Sequence, residues 1–111
     1  MKYACLVYLD ETLRETVPDR ECKAFGDGLR ARGCLLGGEA LRPSHTATVV
    51  RVRNGGVALT DGPFAETKEQ LAGFYLIDAT DLNEAIQIAA RIPPARVGSI
   101  EVRPVRELDA G

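Results

Sequence analysis

Residues 3 to 9 read Tyr3-Ala4-Cys5-Leu6-Val7-Tyr8-Leu9, a run that is apolar on both alternating faces. A strand tolerates that pattern only where both faces are covered, so the run predicts a central strand. Gly73-Phe74-Tyr75-Leu76-Ile77 has the same character and predicts a second central strand. Two such strands in one short chain set the fold problem: something must cover each side of the sheet that holds them.

Working outward, Pro18 precedes a helical pattern in which Cys22, Phe25 and Leu29 recur at intervals of three and four, ending at Gly33. Gly26 and Gly28 weaken this helix by about 1 kcal/mol each relative to alanine, a sign of either close packing or simple weakness. Cys34 to Leu41 reads as a strand interrupted by Gly37-Gly38, which signals a bulge or the close approach of a ligand. Thr46 to Arg53 and Val57 to Thr60 read as a hairpin. A two-residue Asn54-Gly55 turn sets Val52 opposite Val57 and Val50 opposite Leu59, so that all four fall on one face. Asp81 and Glu84 start a second helix, whose apolar stripe reads Leu82, Ala85, Ile86 and Ala89 and which Pro93-Pro94 stops. Ile100 and Val102 alternate with Glu101 and Arg103 in a last strand, which Pro104 assigns to an edge.

This order predicts an α+β unit, a ferredoxin-like sandwich with an extra β-hairpin, occupying residues 1–106 with a flexible tail at 107–111. In that layout both helices cover one sheet face. The other needs a cover, and a two-fold partner copy is the simplest supply, giving a homodimer built as a dimeric α/β barrel.

The 111 residues carry a formal net charge of -2, so no positive field favours direct nucleic-acid binding. No apolar window approaches the roughly 18 residues that read as a membrane span, and the N-terminus runs straight into a core strand, so a cytoplasmic location is expected. Cys5, Cys22 and Cys34 are odd in number and irregular in spacing, as expected of free thiols. With a single histidine, no zinc site and no cofactor are expected. No dinucleotide fingerprint or phosphate loop is present.

The densest chemistry lies in Asp61-Gly62-Pro63-Phe64-Ala65-Glu66-Thr67-Lys68-Glu69-Gln70-Leu71. Gly62-Pro63 forces a turn, Phe64 is expected to anchor the loop in apolar surface, and Asp61, Glu66 and Lys68 are held at a strand mouth as candidate catalytic groups. A solvated loop with weak surface pairs is the plainer reading. This run resembles the signature of the DGPF-domain proteins, a branch of the YCII-related family, and the likeness extends through Gly73 to Asp78 and back to Val50-Arg51-Val52-Arg53. The resemblance implies the ferredoxin-like fold, a dimer and a pocket. It also matches Glu39 to an acidic position that could line the same mouth. Relatives nearer the YCII type carry a histidine early in the first helix, paired with an acidic residue, as their proposed active site; Cys22 falls where that histidine would be.

Three further candidates keep two readings each. His45 is a proton shuttle or a surface residue at a loop-to-strand junction. Cys22 is a nucleophile or a packing residue on its helix stripe. Arg51, with Arg53, binds an anionic ligand or protects a strand. Two functions follow. One is cofactor-independent isomerase or lyase-type chemistry on a small organic molecule, with a carboxylate as base and Lys68 or Arg51 holding developing negative charge. The other is a non-catalytic ligand- or partner-binding module, for which the resemblance suggests a link to a sigma factor.

Overall fold

A computed structural model describes residues 1–109. It contains β1 (Lys2–Leu9), α1 (Asp19–Ala31), β2 (Leu35–Ala40), β3 (Thr48–Arg53), β4 (Gly56–Asp61), β5 (Gln70–Asp78), α2 (Leu82–Ala90) and β6 (Ser99–Pro104). Short 3-10 turns at Glu11–Thr16, Ser44–Thr46 and Pro93–Arg96 join them. The fold is α+β. Its principal sheet has the order β2-β5-β1-β6 with every neighbouring pair antiparallel, and β3 and β4 form a separate two-stranded sheet.

Both doubly apolar strands are central, and β6 is an edge, as the sequence predicts. Tyr3, Cys5, Val7 and Leu9 point into the core with Ile77, beneath Leu29 of α1 and Ala85, Ile88 and Ala89 of α2. Ala4, Leu6 and Tyr8 face the other way. They lie opposite Leu76, Phe74 and Leu71 of β5, forming an apolar band that no helix among the described residues covers. The sheet is thus dressed on one side only.

Helix α1 begins after Pro18, whose extended conformation serves as the cap, and it closes at Gly33, where φ is +74°. Only Leu29 is fully buried along it, with Cys22 and Phe25 half-buried. The two glycines separate cleanly. A Cβ at Gly26 would sit in ordinary contact with the Tyr75 ring at 4.0 Å, whereas at Gly28 it would meet nothing within 4 Å. Gly28 therefore marks helix weakness rather than close packing. Gly28→Ala is expected to stabilise the fold by about 1 kcal/mol, raising the melting temperature by a few degrees; an unchanged or lowered midpoint in a thermal melt would count against this account.

Helix α2 is capped by Asp81, whose carboxylate accepts from the Glu84 N–H, while the Glu84 carboxylate accepts from the Thr80 N–H one residue further out than a capping box requires. Its buried face differs from the expected stripe. Ala85, Ile88 and Ala89 are buried and Ile92 continues them, but Leu82 and Ile86 stand about half exposed.

The expected bulge in β2 falls at Leu36, and a second one interrupts β5 at Ala72. Beyond the β2 bulge, Gly38 and Ala40 pair with Tyr75 and Gly73 on the helix side of the sheet. A Cβ on Gly38 would come within 2.5 Å of the Phe74 carbonyl oxygen, and one on Gly73 within 2.9 Å of the Glu39 carbonyl, so this seam admits no side chains.

The hairpin register is the expected one. Val50 faces Leu59 and Val52 faces Val57, around a turn in which Asn54 and Gly55 both have positive φ. The Gly62 N–H donates to the Ala47 carbonyl at the hairpin's root. The ribbon stands away from the main sheet, and the radius of gyration, 15.8 Å, exceeds the roughly 13 Å of a compact chain of this length. Residues 105–109 carry no regular structure, and the remainder of the expected tail, 110–111, lies outside the described residues.

Candidate functional site

The gap that α1 leaves over the β2–β5 seam is a cleft of about 480 Å³. Its floor is made of residues with little or no side chain, Gly38, Ala40, Ala72 and Gly73, and Gly26 leaves the helix above it equally bare. Walls come from Val7, Leu9, Val17, Leu35 and Tyr75, the rim carries Arg14, Asp19 and Lys23, and the sheet border is Glu39 and Phe74, whose places in the ladder turn their side chains to the opposite sheet face. This is the usual make-up of a small-molecule pocket, mostly apolar with a few polar groups.

Two protic groups line the cleft. Tyr75 is fixed by an edge-on contact with Phe25, ring centroids 5.7 Å apart, and its hydroxyl makes no hydrogen bond to another described residue. Burial, with the nearby Cys22 thiol, pushes its pKa up to about 12. Cys22 is half-buried, and burial raises its thiol above the ordinary value, with Asp19 and Glu21 adding in the same direction. Both are proton donors at neutral pH. The lowered pKa that a cysteine nucleophile requires is therefore absent at Cys22.

The sequence-derived candidates are distributed differently. Glu39 borders the cleft, opposite Phe74 in the ladder and exposed. Asp61, Glu66 and Lys68 are exposed and line neither this cleft nor the shallower hollow formed by Tyr8, Thr67, Glu69, Ser99, Ile100 and Glu101. Lys68 has Asp10 as a charge neighbour, and Asp10 is held below the usual carboxylate range by the Thr12 hydroxyl and N–H, with Lys68 adding a smaller effect. Asp61 pairs with Thr48 on the hairpin face that bears the valines, while Arg51 lies on the opposite face. Phe64 does not anchor the loop in this chain. Its ring is 80% exposed, in the loop that follows β4, with the Arg51 guanidinium 5.8 Å from the ring centre.

His45 sits exposed in the Ser44–Thr46 turn. Beside it the Glu11 carboxylate accepts from the Ser44 N–H at 2.7 Å and from the Ser44 hydroxyl. Those bonds hold Glu11 below the ordinary carboxylate range, with Arg14 and His45 reinforcing them. The Arg14 guanidinium also donates to the Leu41 carbonyl, tying the segment after β1 to the end of β2. Sequence reasoning missed Asp10, Glu11, Arg14, Asp19 and Tyr75. The one available signal was Asp10-Glu11-Thr12 directly after a strand, a pattern suited to a side-chain-capped turn. Among the described residues no group of three or more His, Cys, Asp or Glu side chains is placed to hold a metal ion. All three cysteines are free, and no helix among the described residues is long and apolar enough to cross a membrane.

A fold of this order with a cleft under its first helix defines a small α+β domain with a ligand-sized hollow, and sequence comparison supplies the family. The YCII-related domain model matches residues 1–109, so the chain belongs to that family. It is also 40% identical over 114 aligned positions to Uncharacterized protein R00369 of Rhizobium meliloti (strain 1021), covering 95% of this chain and 92% of that protein.

Proposed function

We propose that this YCII-related protein is a homodimer of the DGPF type that binds a small organic molecule in the α1 cleft and acts on it by cofactor-independent proton transfer, as an isomerase or lyase. The observation that carries the reading is the cleft itself, which is kept open by small residues on both sides, Gly26 of α1 above and the glycines and alanines of β2 and β5 below. Its lining suits chemistry next to a carbonyl group. The rim carboxylate of Asp19 takes the proton. Tyr75, neutral through the whole physiological range, donates a hydrogen bond to the oxygen on which charge develops. Lys23 at the rim offers a cation to an anionic group of the substrate, beside the Asp19 carboxylate.

The assembly follows from the uncovered sheet face. Two ferredoxin-like sandwiches that turn these faces toward each other about a two-fold axis would form a dimeric α/β barrel, with Leu6, Phe74 and Leu76 inside it. Asp61, Glu66 and Lys68 lie outside the cleft of a single chain, so in this reading their part depends on what the second copy adds. The rival reading, a ligand-sensing module in transcriptional control, uses the same cleft and predicts binding without turnover.

The test is a thermal-shift screen of small carboxylic and carbonyl compounds against the native protein and Gly26→Leu, whose side chain fills the cleft. Compounds that stabilise the native protein are expected to lose at least tenfold in affinity for Gly26→Leu. Tyr75→Phe should retain binding within a few fold and lower turnover by about 10²–10³ if the hydroxyl stabilises the transition state. A compound bound equally by native protein and Gly26→Leu would place the ligand elsewhere.

A further inference from the structure

We infer that the β3–β4 hairpin is an arm that seats on the helix-free sheet face of a second copy of this chain and carries Asp61 into that seam. The inference rests on the homodimer reading above and adds to it which surfaces meet. Val50, Val52, Val57 and Leu59 are 59–69% exposed, and the ladder sets them on one face as two directly opposed pairs. Arg51 and Arg53 share the other face with Val49, Ala58 and Thr60, so the ribbon's charge is confined to one side and its larger apolar set to the other. A two-stranded ribbon is marginal by itself in water and needs something to pack its apolar side against.

Its own sheet does not supply that surface. The hairpin shares no ladder with the principal sheet, and the molecule is flat, 46 × 45 × 20 Å. A packed layer adds about 10 Å, so the thickness accommodates the sheet and its helices with no third layer. The chain therefore presents two apolar surfaces that it does not join to each other: the hairpin stripe and the band of Leu6, Leu36, Leu71, Phe74 and Leu76 on the open sheet face. Each is the right chemistry for the other, and a two-fold axis satisfies both twice over, arm of each copy on the sheet of its mate. The formal net charge of -2 opposes this pairing little. Asp61 shares the stripe's face at the hairpin root, opposite Thr48, so seating the arm brings its carboxylate to the partner.

The experiment is a complementation between two full-length variants, followed by sedimentation velocity. Val52→Asp/Leu59→Asp spoils the arm, and Leu6→Asp/Leu76→Asp spoils the seat. The native protein is expected to be a dimer, each variant alone to dimerise at least 100-fold more weakly, and the mixture to recover a heterodimer, because one intact arm then meets one intact seat. A native monomer removes the dimer reading and this inference together. A native dimer whose arm variant dimerises within threefold of native overturns the inference alone, as does a mixture of two monomeric variants that stays monomeric. If the aspartates prevent folding, Val52→Ser/Leu59→Ser is judged by the same thresholds. Amide exchange of the native hairpin provides a second criterion: its protection should fall on dilution through the dimer dissociation constant, and protection independent of concentration overturns the arm.

Discussion

Ile88→Ala is expected to lower the unfolding free energy by about 2–5 kcal/mol, whereas Ile86→Ala, two residues earlier on the same helix, is expected to cost less than about 1 kcal/mol. Ile88 is 2% exposed and packs in the single core with Tyr3, Cys5, Ile77 and Ile92. Truncating it removes the transfer free energy of three carbons and leaves a cavity beneath a helix pinned by its neighbours on both sides. Ile86 is 49% exposed, so its loss returns little surface to water and opens no cavity. A domain of this size has roughly 5–15 kcal/mol of stability in all, so the first change consumes a large fraction of it and the second is nearly silent. Urea titrations at one fixed protein concentration make the comparison, with unchanged slopes as the check that the unfolded states are alike. Equal midpoints for the two variants, or the reverse order, would mean that α2 is rotated from the orientation described.

The same pair shows why part of the fold was legible in the sequence and part was not. Helix α2 is a nine-residue element with alternative apolar stripes, one through Leu82 and Ile86 and one through Ile88. Ile92 selects the second, but it lies beyond the helix end, where a periodic reading stops counting. The central strands were legible because a doubly apolar run has few other homes in a sheet. Hairpin register was legible because a two-residue turn with two positive-φ positions fixes which residues oppose each other. The cleft was not. It is formed by side chains that are missing at Gly26, Gly38 and Gly73, and an absence has no periodicity; only tertiary structure brings those three together. Polar neighbours were likewise hidden by distance along the chain. Lys68 adjoins Asp10, and His45 adjoins Glu11, pairings that no local spacing encodes. Phe64 misled for a related reason: an aromatic after a turn suggests burial, but whether any surface lies near enough to receive it is set by tertiary structure, and here its ring stays exposed.

Cys5 is expected to resist thiol reagents by a factor of at least about 10³ relative to Cys34 under native conditions at neutral pH, with Cys22 intermediate. Cys5 is 0% exposed, in the middle of β1, with Tyr75 opposite it on one side and Val102 on the other. No local opening short of parting the sheet uncovers its sulfur, so labelling tracks the population of unfolded chains. Burial also pushes its pKa up to about 11, which leaves almost no thiolate to react. Cys22 borders the cleft and has a raised pKa of its own, while Cys34 follows α1 in a half-buried position. The raised Cys5 value carries a pH dependence of definite sign. A thiol that holds its proton more tightly when folded contributes stability fully present below the unfolded pKa of about 8.5 and lost as pH rises through about 11. Tyr75 acts in the same direction between about 10 and about 12. Together they predict a stability that falls on the alkaline side, and Cys5→Ala should flatten the part of that fall beginning near pH 8.5. Timed alkylation read by mass spectrometry, with and without urea, separates the three thiols. Native labelling of Cys5 at the rate of Cys34, or an alkaline stability curve unaltered by Cys5→Ala, would mean that β1 is not the closed centre of the sheet.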